Sequence, residues 1–188
     1  MGELKRILKP SFSEILDRLT ILNIKRFFIK EDTLSYTKEI QKLQNDIDIY
    51  IEKSHDLFNS QYFRLIISLA HINLSIWFTK EEKTNHKDDY LKNMKLGHQL
   101  NGIRNQIKNK IIGINDGLQA SLEKTNTTKE DLRGWYISAL YNDVYFAEVA
   151  QEVDDVQNEY EYPLSDLFDR MTIYQIKEML FEKEQRKI

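Results

Sequence analysis

The chain has 188 residues, enough for one domain with a real core. It contains no cysteine, which excludes disulfides, zinc–thiolate sites and thiol nucleophiles and fits a reducing cytoplasm. A formal net charge of −3, with both signs interspersed among 30% charged residues, gives no global field suited to nucleic acid.

Two prolines and six glycines are few, and the abundance of Leu, Ile, Lys, Glu and Gln favours helices throughout. The first six residues are charged and are not followed by an apolar run with a small-residue cleavage site, so no signal peptide is expected. The most apolar segment, 62–78, carries Arg64, His71 and Asn73 and falls short of a membrane span, so no membrane partner is expected.

The first helix is expected to begin around Ser11, where Ser11-x-x-Glu14 reads as a capping box; Ser13 is a second candidate cap. Pro10 suits the entry. Ile15, Leu19 and Leu22 share one face, Leu16 and Phe27 extend the apolar arc, and the helix is expected to reach about Lys30. A second helix over 34–53 places Tyr36, Ile40, Leu43, Ile47 and Tyr50 on one face at 4-3-4-3 spacing, and pairs with the first as an antiparallel hairpin.

Residues 62–78 form a helix that is apolar nearly all round, as expected of an element in the middle of a bundle. Its polar exceptions Arg64, Ser68, His71 and Ser75 fall on one narrow stripe. Asn73 lies off that stripe, one turn before Trp77, on a side that should be buried. A buried amide needs partners, either a ligand in a pocket or other core groups, and core groups are the favoured reading. Residues 79–89 read as a helix end and a charged loop. A fourth helix over 90–112 puts Leu96, Leu100, Ile103, Ile107 and Ile111 on its core face. Asn101, Arg104 and Lys108 line another face. Such a modest basic face, without interleaved aromatics, reads as solvated rather than as a phosphate or nucleic-acid site.

The breaks at 113–117 and 124–128 set off a C-terminal helical pair, 127–188, within a single domain over 1–188. Overlapping capping boxes at Thr127 and Thr128 start a helix that should run to about Glu159. Pro163 breaks it, and Ser165 is expected to start the last helix.

That last helix repeats the first. Ser13-Glu-Ile-Leu-Asp17-Arg-Leu-Thr20-Ile-Leu-Asn-Ile-Lys25 returns as Ser165-Asp-Leu-Phe-Asp169-Arg-Met-Thr172-Ile-Tyr-Gln-Ile-Lys177, with seven of thirteen positions identical. In each copy an aspartate and a threonine three apart share a face at the edge of an apolar stripe. A carboxylate pressed against apolar surface needs a cation or hydrogen-bond donors. The duplication suggests pseudo-twofold packing of the first and last helices, with Asp and Arg fixing register.

A second constellation is acidic. Glu148, Glu152 and Asp155 fall at 4-3 spacing, and Asp166 and Asp169 follow three apart on the next helix. Two antiparallel helices presenting such acids could hold magnesium, which takes a few carboxylates together with water and phosphate oxygens. Glu152-x-x-Asp155, a ten-residue spacer and Asp166-x-x-Asp169 resemble, weakly, the E-x-x-E and E-x-x-D pairs of the all-helical nucleoside triphosphate pyrophosphohydrolases of the MazG and dimeric dUTPase type. That resemblance implies a magnesium-dependent hydrolase of nucleotides or other phosphorylated small molecules, with Arg170 or Lys177 on phosphate. A solvated acidic face is the favoured account. The four histidines show no metal-ligand spacing.

The opening Ser-Glu-Ile-Leu-Asp-Arg-Leu-Thr-Ile-Leu-Asn-Ile-Lys also resembles that of an uncharacterised bacterial helical domain family with the pattern E-L-[VI]-D-[KR]-[LI]-[ST]-I-x-x-[IL]-K. Asn73-x-x-x-Trp77, followed by Glu81-Glu82, and Asn101-x-x-Arg104 with Lys108 continue the resemblance in order, over residues 11–112. Several of the family's positions are absent and the acidic pair is displaced by one residue. The resemblance implies a helical fold and a link to surface-polysaccharide biosynthesis, and it marks Glu14, Asp17, Asn73, Trp77, Asn101 and Arg104.

Taken together, the expectation is an all-α antiparallel bundle of about five or six helices. Its leading role is as a cytoplasmic binding or accessory protein without a cofactor, with a polar pocket around Asp17, Asn73, Arg104 and Asp169, beside which Arg170 is a further candidate. The partner is a protein or a small molecule, and the many Tyr and Phe side chains suit a homodimer.

Overall fold

The structure, a computed structural model, describes residues 10–54, 59–85, 90–115 and 163–180. These form five α-helices and no strand: α1 Phe12–Phe28, α2 Thr33–Ser54, α3 Ser60–Asn85, α4 Tyr90–Asn115 and α5 Leu164–Leu180. The fold is an all-α bundle, as composition and periodicity required. The helix expected over 127–159, with Glu148, Glu152 and Asp155, lies outside the described residues.

The start of α1 is fixed by its own first turn. The Glu14 amide donates to Ser11 Oγ at 3.3 Å, and the Ser11 amide donates to Glu14 Oε2 at 2.8 Å. Two amides without intrahelical partners are thereby satisfied reciprocally. Glu14 is thus a capping residue, which accounts for its place in the motif. The helix ends two residues earlier than expected, at Phe28. Ile29 turns extended, and Asp32 adopts the left-handed region (φ 59°), which a short polar side chain tolerates. The Asp32 carbonyl then accepts the first amides of α2, from Ser35 and Tyr36. At α5 the Pro163 carbonyl plays this part for Asp166 and Leu167, so the last helix starts one residue before Ser165.

α1 is the hub, packing on α2, α3 and α4; α3 packs on α4 and also carries α5. Contacts along the helices give their directions. Phe12 stacks on Tyr50 with ring centroids 4.4 Å apart and lies 6.1 Å from Tyr62, whereas Phe28 stacks on Trp77 at 6.0 Å. α1 therefore runs antiparallel to α2 and parallel to α3. The core is built from the periodic positions: Ile15, Leu16 and Leu22 of α1, Ile40 and Leu43 of α2, Leu65, Leu69, Ile72 and Ile76 of α3, and Leu100, Ile103, Ile107 and Ile111 of α4. Burial of these side chains, about 1.5–3 kcal/mol each, is the main force holding the helices together.

Three expectations need correcting. α3 does not end near Phe78 but continues to Asn85. Thr79 is buried and returns its hydroxyl to the Ser75 carbonyl at 2.8 Å, and the charged residues beyond it are good helix formers, so charge alone ended nothing. Phe27 does not join the core arc of α1: it is 82% exposed in the last turn, where no described side chain closes over it. The face of Asn101, Arg104 and Lys108 is not a solvated stripe. Asn101 is exposed, but Arg104 is half-buried against α1 and Lys108 is buried.

Candidate functional site

Two features bear on function: a buried polar cluster between α1, α3 and α4, and an apolar cleft between α1, α3 and α5.

The cluster centres on Asp17, which is 6% exposed. Arg104 of α4 grips its carboxylate with two parallel donors. Nε reaches Oδ1 at 2.8 Å and Nη2 reaches Oδ2. Asn73 of α3 donates to the same Oδ1 at 2.9 Å and to Thr20 Oγ1 at 2.7 Å. Thr20 in turn donates its hydroxyl to the Asp17 carbonyl at 2.8 Å. Both oxygens of Asp17 are therefore engaged, and the Asn73 amide nitrogen spends both of its protons. A forked guanidinium on a carboxylate, with an amide completing the shell, is the arrangement a desolvated charge requires. It locks three helices in register, and both carboxylate oxygens of Asp17 are committed to groups of the bundle itself.

The remaining candidates are scattered. Asn101 is exposed and returns its amide to the Gly97 carbonyl at 2.8 Å. Trp77 stacks on Phe28, and its Nε1 is buried without a hydrogen-bond partner among the described residues. Asp169 and Arg170 are exposed on α5, and Asp169 lies outside the Asp17 cluster. Asp166 is exposed too, and among the described residues no group of three or more acidic or histidine side chains could hold a metal ion. Asp166 and Asp169 do not make such a site by themselves, and their proposed partners on 148–155 lie outside the described residues.

The repeat copies thus sit in different environments. Asp17 is buried and Asp169 is exposed, whereas Arg18, which pairs with Glu39 of α2, and Arg170 are both exposed. The two copies do meet at one place. Thr20 and Ile24 of α1, and Thr172 and Ile176 at the same positions of the second copy, line one cleft of about 480 Å³. Its α3 wall is Ile67, Ala70, His71 and Leu74, and Asn23, Phe27 and Phe28 complete the α1 side.

Sequence reasoning missed this cleft, though a signal for it was present. The polar stripe of α3 is the side that meets α5: Arg64 Nε donates to Gln175 Oε1 at 3.4 Å, and His71 opens into the cleft. Ser68, between them, is fully buried and its hydroxyl has no hydrogen-bond partner among the described residues. His71 is half-buried, and desolvation lowers its pKa below the ordinary histidine value, favouring the neutral ring. The cleft offers a broad hydrocarbon wall with a few hydrogen-bonding groups, the usual character of a binding pocket.

No family model matches the chain, and neither a curated protein nor a solved structure is similar to it. No described helix is long and apolar enough to cross a membrane.

Proposed function

We propose that this chain is a cytoplasmic, non-enzymatic helical binding or accessory protein whose site is the apolar cleft between α1, α3 and α5. The observation that carries the reading is the contrast between the two features. Asp17, Asn73 and Arg104 hydrogen-bond to one another inside the bundle, whereas the cleft leaves Ile24, Phe27, Leu74 and Ile176 facing open space beside a neutral His71. The site moves from the polar cluster to the cleft because binding needs unspent surface. An apolar group of a protein partner or small molecule would bury hydrocarbon there and could bond to His71, Asn23 or a threonine hydroxyl. The resemblance over residues 11–112 is what supports a link to surface-polysaccharide biosynthesis.

The test is titration with Nile red, an uncharged apolar dye, followed by fluorescence. One saturable site is expected, lost in Ala70→Phe, which fills the cleft from α3 without adding charge. The melting temperature of that variant, measured alongside, shows that the fold survives. Unchanged dye binding in a folded Ala70→Phe protein would remove the cleft as the site.

A further inference from the structure

The end of the bundle where α1 finishes carries a surface that the cleft alone does not explain. The chain there reads Lys25-Arg26-Phe27-Phe28-Ile29-Lys30. Phe27 is 82% exposed, and Phe28 and Phe78 are about two-fifths exposed at 39% and 42%. The rings brace one another. Phe27 meets Phe28 edge-on at 5.0 Å, Phe28 meets Phe78 edge-on at 5.4 Å, and Phe28 lies on Trp77. This is a ledge of aromatic side chains held in place by packing, so presenting it to a partner costs little further ordering.

Among the described side chains, the charges that flank the ledge in sequence are four positive and two negative. Arg26, Lys30 and Lys80 are exposed, and Lys25 is half-buried with its ammonium 6.0 Å from the Tyr36 ring centroid. Glu31 and Asp32, also exposed, are the acids that follow Lys30. Beyond Lys80 the sequence Glu81-Glu82-Lys83 adds one net negative charge. Aromatic rings beside lysine and arginine match the interfacial layer of a bilayer, where rings enter the acyl boundary and cations meet anionic headgroups.

We infer that this end of the bundle, with Phe27 as the inserting side chain and Arg26, Lys30 and Lys80 beside it, docks on an anionic lipid surface. The docking is peripheral, so it requires no spanning helix, and it departs from the expectation of no membrane partner. A protruding ring favours a deformable lipid surface over a protein partner, which would have to supply a matching pocket. Phe27 and Phe28 also line the cleft, so the two sites share these rings, and Arg26 and Lys30, which do not line it, tell them apart.

The test is sedimentation of the full chain with vesicles of phosphatidylcholine alone and of phosphatidylcholine mixed equally with phosphatidylglycerol. Retention on the anionic vesicles at low salt is expected, with much weaker retention on the neutral ones and loss as salt screens the cations. Phe27→Ser should cut the partition coefficient about tenfold, since the buried area of one phenyl ring is lost. Its exposure predicts an unchanged melting temperature. Arg26→Glu with Lys30→Glu should cut it further, by roughly fivefold or more per cation removed, while leaving Nile red binding intact. Wild-type protein that stays in solution with anionic vesicles at low salt overturns the proposal. So does a Phe27→Ser protein retained like the wild type, or equal retention on both vesicles. An acidic protein captured through the same cations while vesicles are ignored would reassign the surface to a protein interface.

Discussion

Asp17 and Arg104 stand 87 positions apart in the chain and meet through two parallel hydrogen bonds, with Asn73 of α3 closing the remaining side of the carboxylate. The pair ties the first helix to the fourth across the middle of the bundle. Its side chains are 8% and 25% exposed, so water does little of the solvation that the carboxylate has lost.

The costs of breaking this pair from either side should therefore not add. Arg104→Ala leaves a buried carboxylate with only Asn73 and its own helix to solvate it, and a loss of about 3–5 kcal/mol is expected. Asp17→Ala leaves the guanidinium, which can turn toward solvent through its exposed quarter, so a smaller loss is expected. The double variant should be less destabilised than the sum of the two, by about 1–3 kcal/mol of coupling. Urea unfolding of the four proteins measures the cycle. Strict additivity would mean that the two residues do not act as a pair.

The helices themselves were legible because the core positions recur at helical spacing. Leu65, Leu69, Ile72 and Ile76 are buried for the same reason that they could be read as one face. The first turn of α1 was legible for a local reason, since a capping box needs only residues 11 to 14. What could not be read was whatever depends on residues distant in sequence. Arg104 looked solvated because its charge says nothing of a carboxylate 87 positions away. Phe27 looked like core because periodicity identifies a face without identifying what covers it. Asp169 looked like a second Asp17 because the motif is repeated, but no second Asn73 and Arg104 converge on it among the described residues. The cleft is a product of how α5 lies on α3, and the polar stripe of α3 marks that side without showing what it meets.

Ser68 supplies a prediction of opposite sign. Its side chain is wholly buried in α3 and its hydroxyl has no hydrogen-bond partner among the described residues, although a helical serine can usually bond to the carbonyl one turn back. An unsatisfied buried hydroxyl costs about 1–3 kcal/mol of desolvation. Ser68→Ala removes that cost and raises helix propensity while leaving only a small void. A stabilisation of about 0.5–2 kcal/mol is expected, read as a rise in the urea midpoint at unchanged slope. A destabilised Ser68→Ala protein would show that the hydroxyl has a partner, such as a water, that stabilises the fold.

His71 makes the cleft sensitive to acid. Burial lowers its pKa in the folded state, so the unfolded chain takes up a proton at the ordinary value while the folded chain still resists it. About one pH unit or more above the ordinary value of 6.5 the ring is neutral in both states and contributes no pH dependence. As the pH falls below that value the unfolded state binds more protons, and stability declines until the folded-state value is passed and the folded ring is charged as well. His71→Gln keeps a polar side chain of similar reach but removes the titration. Its urea midpoint should fall less than that of the wild type between neutral and mildly acidic pH, with the two curves parallel above neutrality. The same protonation would place a charge on the α3 wall of the cleft, so Nile red should be held more weakly by the wild type in acid but not by His71→Gln. Parallel stability curves across the whole range would mean that the ring titrates alike in the folded and unfolded chains, and that its burial against α5 leaves it as well solvated as a free imidazole.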